Sequence, residues 1–207
     1  MRFPVRCAML MLLAASAARA QERRASVGAE VGYSRSDLGG PDAQQLRSRQ
    51  GALTGVYLDL PIRGGFGVRP ELLFALKGGR AETAGEGGTT LLDIELAYVE
   101  MPLLVRLQWP RGRYRPVIFG GPAPAVQIGC DLRVVLPGQE VRATCADPTV
   151  TLFRDLDFGL VAGGGVEARF SQAALALEAR YTTGLRSALT TADVRNRALG
   201  VLLALTF

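Results

Sequence analysis

The residues that could perform chemistry here are carboxylates and arginines, because the sequence contains no histidine. Ser-His-Asp triads and histidine metal sites are therefore impossible. Asp93 with Glu95 and Asp155 with Asp157 could bind a divalent cation, although solvated acids at loop edges are the simpler interpretation. The glycines at 163–165 lack the Lys-Ser/Thr of a phosphate-binding loop and lie within a predicted strand, which indicates close packing or curvature. The composition therefore excludes histidine-dependent chemistry, and no motif for a cofactor is present.

Charged residues alternate with aliphatic ones along several segments, as they do on strands whose successive side chains point to opposite faces. Leu175 and Leu177 share one face of a predicted strand, whereas Glu178 and Arg180 share the other. An eight-stranded barrel is just wide enough to be filled by side chains, and opposite charges offset the cost of burial there. We therefore predict a salt-bridged lumen, with a narrow ion-conducting path as the functional alternative. The inward set comprises Glu30, Asp59, Arg69, Glu71, Lys77, Glu100, Arg106, Glu167, Arg169, Glu178 and Arg180.

Residues 1–20 have the features of a secretory signal peptide. Arg2 and Arg6 precede a short apolar core, and small residues at 18 and 20 precede a cleavage point. This core is far shorter than the roughly 20 residues that a spanning helix needs. We expect residues 21–207 to form one domain. Loss of three arginines lowers the formal charge from +5 to about +2, which gives no indication of nucleic-acid binding.

Cys130 and Cys145 are the two cysteines outside the predicted signal peptide, and they flank 14 residues. In an exported chain, two cysteines around one loop are typical of a disulfide. Two free thiols are the alternative.

Eight strands are predicted from alternation and turn residues, at 24–34, 51–60, 66–78, 91–108, 114–129, 156–170, 173–184 and 196–207. Their connections alternate between long polar segments (35–50, 79–90, 130–155, 185–195) and short turns (61–65, 109–113, 171–172). This order predicts an all-β fold, an eight-stranded antiparallel up-and-down transmembrane β-barrel with tight periplasmic turns and large external loops. An even number of strands places both termini on the periplasmic side.

Two of these strands alternate imperfectly. In 91–108, Asp93 and Glu95 imply one facing, whereas Glu100 and Arg106 imply the other. A bulge near 98–102, or a membrane segment that begins after Glu95, would explain the change. In 114–129 the prolines at 116, 122 and 124 remove hydrogen-bond donors and indicate distortion.

Aromatic residues separate a membrane barrel from a soluble β-sandwich. Five of them adjoin a short turn or the C-terminus and would form one girdle at a membrane edge: Phe66, Trp109, Tyr114, Phe170 and Phe207. Aromatic belts of this kind are expected at the bilayer interface. A soluble sandwich gives no reason to gather them at one end.

The last apolar run, at 197–207, has Leu199, Val201, Leu203, Leu205 and Phe207 on one face and mostly small residues on the other. A chain that ends on such a strand resembles bacterial outer-membrane β-barrel proteins. The resemblance implies that the barrel-assembly machinery reads the terminal aromatic strand.

The segment 98–107 reads Tyr-Val-Glu-Met-Pro-Leu-Leu-Val-Arg-Leu. It resembles the best-marked strand of the porin-like outer membrane protein beta-barrel domain family, in its PorT-type group. Residues 115–122, which end in Gly-Gly-Pro, resemble the strand that follows in that family, and 177–181 resemble its seventh strand. The resemblance implies an eight-stranded barrel in the bacterial outer membrane without enzymatic chemistry.

Four functions compete for such a chain. We expect a monomer with a structural or adhesive role through its external loops, whose partners are membrane lipid and the assembly machinery. A small porin or channel is the second hypothesis, and an accessory of a secretion or assembly machine is the third. A soluble lipocalin-like carrier is the fourth.

Overall fold

The computed structural model describes residues 25–39, 46–85, 88–109, 112–137, 139–144, 156–185 and 195–207. The predicted signal peptide (1–20), Cys145 and Asp155 lie outside these residues. The described part contains ten strands: β1 (Ser26–Gly39), β2 (Leu46–Arg63), β3 (Phe66–Gly85), β4 (Gly88–Glu100), β5 (Leu103–Gln108), β6 (Tyr114–Leu136), β7 (Gln139–Thr144), β8 (Leu156–Arg169), β9 (Ala174–Gly184) and β10 (Arg195–Thr206).

The strands form a closed antiparallel ring. Hydrogen bonds run in the order β2, β1, β10, β9, β8, β6, β4, β3, and β3 pairs with β2 to close it. β5 continues the position of β4, since both pair with β3 on one side and β6 on the other. β7 pairs with the end of β6 as a hairpin. The ring is therefore an eight-stranded barrel, as predicted.

The break between β4 and β5 falls where prolines interrupt the ladder. Pro102 has no N–H, and its carbonyl accepts a hydrogen bond from the Glu71 N–H at 2.9 Å. On the other side, the Met101 N–H donates to the Pro124 carbonyl at 2.8 Å. These two hydrogen bonds hold residues 101 and 102 between β3 and β6, so the strand direction continues through the break.

Alternate side chains point outward and inward as predicted for most strands. On β10, Leu199, Leu203 and their alternate neighbours are exposed, whereas Leu202 and Ala204 are buried. The imperfect strand at 91–108 keeps one facing throughout, with Glu100 and Arg106 both inward. Asp93 and Glu95 lie on the opposite face, so this strand does not change facing, and the irregularity opposite Ala97 and Tyr98 places its extra residue, Ile128, on β6.

Two short turns depend on glycine. Gly64 and Gly65 join β2 to β3 with φ values of 64° and 91°, and Gly112 precedes β6 with φ of 93°. These are conformations that residues with a Cβ rarely adopt. The tight turns gather at what we call the short-turn end of the barrel.

The opposite end, which we call the long-strand end, is more regular than predicted. Parts of the expected long loops are strand, namely 35–39, 46–50, 79–85, 88–90, 130–136 and 139–144. β7 was not predicted. Many of their outward side chains are charged, such as Arg80, Arg133 and Arg142, as expected beyond the apolar outer band, and their backbone ladders continue from strand to strand.

Candidate functional site

Two ion pairs cross the full width of the barrel. β3 and β9 are four strands apart in either direction around the ring, so they lie opposite each other. Arg69 Nη1 on β3 lies 2.9 Å from Glu178 Oε1 on β9, and Arg180 Nη1 on β9 lies 2.8 Å from Glu71 Oε2 on β3. Their side chains are at most 3% exposed. We call these four residues the cross-barrel plug.

The strand directions explain why the plug residues meet at the same height. Strands four positions apart in an antiparallel ring run in the same direction. Arg69 and Glu178 therefore occupy one level, and the next inward residues, Glu71 and Arg180, occupy the level above. Arginine suits both positions because its planar guanidinium donates to two acceptors at once.

Each plug arginine has additional partners. Arg69 donates to Asp59 at 2.8 and 3.0 Å, and its guanidinium lies 4.1 Å from the centre of the Tyr57 ring. Arg180 also donates to Glu30 at 3.3 Å, and its guanidinium lies 5.6 Å from the centre of the Phe119 ring. Both cations are thus held by carboxylates and by an aromatic ring, which stabilises charge in a poorly hydrated interior.

Glycines make room for the two rings. A Cβ on Gly28 would lie 2.1 Å from Cζ of Tyr57, and a Cβ on Gly163 would lie 2.6 Å from the Phe119 ring. The Tyr57 hydroxyl shares a 2.7 Å hydrogen bond with Thr206. The glycines at 163–165 therefore provide close packing, one of the two interpretations that the sequence left open.

Towards the short-turn end, a second group of charges lines a cavity of about 390 Å³. Arg106 lies 2.9 Å from Glu167 and 3.5 Å from Asp59. Arg169 lies 2.9 Å from Glu167, but its side chain is 52% exposed. Of the predicted lumen residues, Arg169 therefore sits at the mouth of the barrel, because it is the last inward position before the turn.

Towards the long-strand end, an apolar cluster fills the lumen: Leu53, Ala75, Ile94, Leu96, Tyr98, Ala125 and Leu202. Lys77 and Glu100, 2.5 Å apart, are buried on adjacent strands. The cluster was missed from the sequence because apolar residues were expected to face lipid. The signal was present in Leu202, a large side chain on the otherwise small face of the last strand.

Above the cluster, Asn196 donates to Asp157 at 2.8 Å and to the Tyr98 hydroxyl at 3.2 Å. The described lumen therefore contains a polar mouth, the cross-barrel plug, apolar clusters and this polar group beside Tyr98. Paired charges and apolar side chains along the lumen oppose the passage of water and ions.

At the short-turn end, the outer surface carries the five aromatic residues for which we predict a membrane girdle. Each ring is at least half exposed: Phe66, Trp109, Tyr114, Phe170 and Phe207. Exposed aliphatic residues, such as Leu72, Val105 and Leu177, occupy the barrel wall between this girdle and the long-strand end.

Beyond the aliphatic band, the outer-facing acids pair with arginines. Arg49 contacts Glu95 and lies 3.0 Å from Asp93, and Arg80 lies 3.1 Å from Asp93. Partial burial acts to raise the pKa of Asp93, but hydrogen bonds from Arg80 and Arg49 bring that pKa below its usual value. Within the described ranges, no three acids or cysteines are grouped as a metal site.

In the part of the chain that the structure describes, no helix is long and apolar enough to cross a membrane. A closed antiparallel barrel with an aliphatic outer wall, an aromatic girdle and a charged interior defines an integral protein of the bacterial outer membrane. The chain belongs to the outer membrane protein beta-barrel domain family, whose model matches residues 16–190.

Solved structures with a similar fold include Neisserial surface protein A, at 13% identity and a TM-score of 0.50, covering 89% of this chain and 100% of that one. The attachment invasion locus protein Ail of Yersinia pestis, in complex with the heparin analogue sucrose octasulfate, has 11% identity and a TM-score of 0.43, with the same coverages of 89% and 100%. The outer membrane enzyme PagL has 12% identity and a TM-score of 0.45, covering 86% and 97%. Likeness at this level shows the fold alone. No curated protein matches the chain in sequence.

Proposed function

We propose that this protein is a closed, non-enzymatic outer-membrane barrel whose role is structural or adhesive and is carried by its external strands and loops. The observation that carries the proposal is the cross-barrel plug, in which Arg69–Glu178 and Arg180–Glu71 join opposite walls. A lumen occupied in this way is suited to hold the wall together rather than to conduct. The accessible part of the molecule is then its surface outside the membrane.

The strand lengths support an external role. On β3, outward apolar positions run from Phe66 to Leu76, about the 9–11 residues that a spanning strand needs. β3 continues for nine further residues to Gly85, roughly 30 Å along the strand. With β4 and the β6–β7 hairpin it forms what we call the external sheet, which presents arginines and carboxylates to the medium.

Experiments can distinguish two other roles from this one. A small channel would require the plug to leave a continuous aqueous path. An accessory of a secretion or assembly machine would agree with the PorT-type resemblance of residues 98–107, and stable co-purification of a large partner would favour it.

The adhesive role is tested by shortening the external sheet. Residues 131–144 are replaced by a two-residue Asn-Gly turn, and cells that display the variant are compared with wild type for attachment to surfaces and to other cells. The unboiled gel shift confirms that the barrel still assembles. We expect attachment to fall while the shift persists. Envelope integrity is measured in the same cells. If attachment and envelope integrity are both unchanged, an external role for this sheet is contradicted.

We propose that the barrel-assembly machinery reads the C-terminal strand and that the barrel is a monomer. The Phe207 N–H donates to the Val27 carbonyl at 2.9 Å, which extends the pairing of the first and last strands, β1 and β10. Deletion of Phe207 is expected to lower the amount of assembled barrel without lowering synthesis. Assembly at the wild-type level would contradict recognition through this residue.

A further inference from the structure

We propose that the outer face of β1 and β10, at the long-strand end, binds the phosphorylated sugar headgroup of an outer-leaflet glycolipid. A groove of about 400 Å³ lies there, on the lipid-facing side of the wall. It is lined by Arg35, Asp37, Ser48, Tyr181, Arg197 and Leu199. We call it the rim groove.

The rim groove lies where the aliphatic wall ends. Arg35 pairs in register with Leu199, and Arg197 is the next outward residue along β10. Leu199 is 58% exposed and Tyr181 is 45% exposed. The apolar and phenolic surface therefore lies next to the arginines. A lipid has the same arrangement, with acyl chains in the membrane and a charged headgroup above them.

Both arginines point along the same outer surface. Arg35 Nε donates to Ser48 Oγ on β2 at 2.6 Å. The guanidinium of Arg197 lies over Gly39 of β1, where a Cβ would be 2.8 Å from its Cζ. Arg35 on β1 therefore reaches towards β2, and Arg197 on β10 reaches towards β1.

The arginines of the external sheet form ion pairs, whereas in the described part of the chain those of the rim groove do not. On the external sheet, Arg47 lies 3.0 Å from Glu82 and Arg142 lies 2.7 Å from Glu140. Among the described residues, neither Arg35 nor Arg197 forms an ion pair. Guanidinium groups donate well to phosphate oxygens, so these two arginines are suited to a phosphate.

Asp37 favours a sugar over a simple glycerol headgroup. Its Oδ1 is buried and has no hydrogen-bond donor among the described residues. An unpaired carboxylate oxygen would repel phosphate but accept a hydrogen bond from a hydroxyl or amide group. Two guanidinium groups for a phosphate and one carboxylate for a sugar together fit a phosphorylated glycolipid, the kind of lipid that forms the outer leaflet of this membrane.

The test measures lipid binding to the purified full-length barrel in detergent by native mass spectrometry. The probes are bis-phosphorylated lipid A, the same lipid without phosphates, and phosphatidylglycerol. We expect wild type to bind bis-phosphorylated lipid A at least about tenfold more tightly than either other probe, as two charge-assisted contacts imply. Equal binding of the dephosphorylated lipid or of phosphatidylglycerol would overturn the proposal.

Matched variants locate the site. R35Q/R197Q should weaken lipid A binding about tenfold or more, whereas R47Q/R142Q, which also removes two outward external arginines, should change it less than about twofold. D37N should reduce the preference for lipid A over phosphatidylglycerol. The unboiled gel shift is measured for every variant. If R35Q/R197Q is folded and binds as wild type does, or if both double variants weaken binding equally, the rim groove is not the site.

Discussion

Replacement of Arg180 by Met should destabilise the barrel strongly because Arg180 is the cation of the upper level of the cross-barrel plug. Its guanidinium donates to Glu71 at 2.8 and 3.3 Å and to Glu30 at 3.3 Å. The Glu71 and Glu30 side chains are fully buried. Met fills a similar volume without charge, so the change leaves both carboxylates without their main partner.

The expected cost follows from the type of contact that is lost. Removal of one member of a buried ion pair costs about 3–5 kcal/mol, mostly because the other charge stays buried without compensation. Glu71→Gln should cost about 2 kcal/mol, since Arg180 keeps its contact with Glu30. The double variant should cost less than the sum of the two single variants, with a coupling free energy of about 2 kcal/mol.

Urea unfolding in lipid vesicles measures these free energies, with the folded fraction read from unboiled gel mobility. Arg169→Met is the matched control, because Arg169 also pairs with a glutamate, Glu167, but is half exposed at the barrel mouth. This control should cost less than about 1 kcal/mol. Equal midpoints for the Arg180 and Arg169 variants, or simple additivity of the Arg180 and Glu71 changes, would refute the cross-barrel plug.

Further outcomes are expected for the wall, the packing and the loop. Leu203→Arg, on the outward face, should cost about 2–4 kcal/mol more than Leu203→Ala in the same unfolding assay. Gly28→Ala should cost about 1–3 kcal/mol because its Cβ would overlap the Tyr57 ring, and a Tyr57→Leu background should remove most of that cost. We predict a Cys130–Cys145 disulfide, so denatured, unreduced protein should bind no thiol reagent; labelling at two sites would exclude the bridge.

The wall of the barrel could be predicted because lipid on one face and a filled lumen on the other impose a period of two. That constraint ends beyond the apolar band. Residues 79–85 form strand without apolar alternation, and 139–144 alternate over only six residues, so the pairing partners reveal both segments. The facing of Asp93 and Glu95 is not encoded locally for the same reason, since acids outside the membrane can face either way.

Membership of the lumen could be predicted, whereas partnership within it could not. Arg69 and Glu178 are 109 positions apart, and they meet because ring closure and register place β3 opposite β9 at matching height. No local pattern encodes that register. The aromatic rings over the arginines and the glycines beneath the rings depend on the same geometry, so they became visible only in the assembled barrel.

Single-channel recording in planar lipid bilayers tests the closed lumen most directly. The unboiled gel shift verifies that the wild-type barrel is folded in the vesicles used for insertion. This barrel should produce no stepwise conductance in 1 M KCl, while a bacterial porin measured in parallel should. Reproducible, voltage-independent conductance steps from the wild-type barrel would contradict the account and favour a channel.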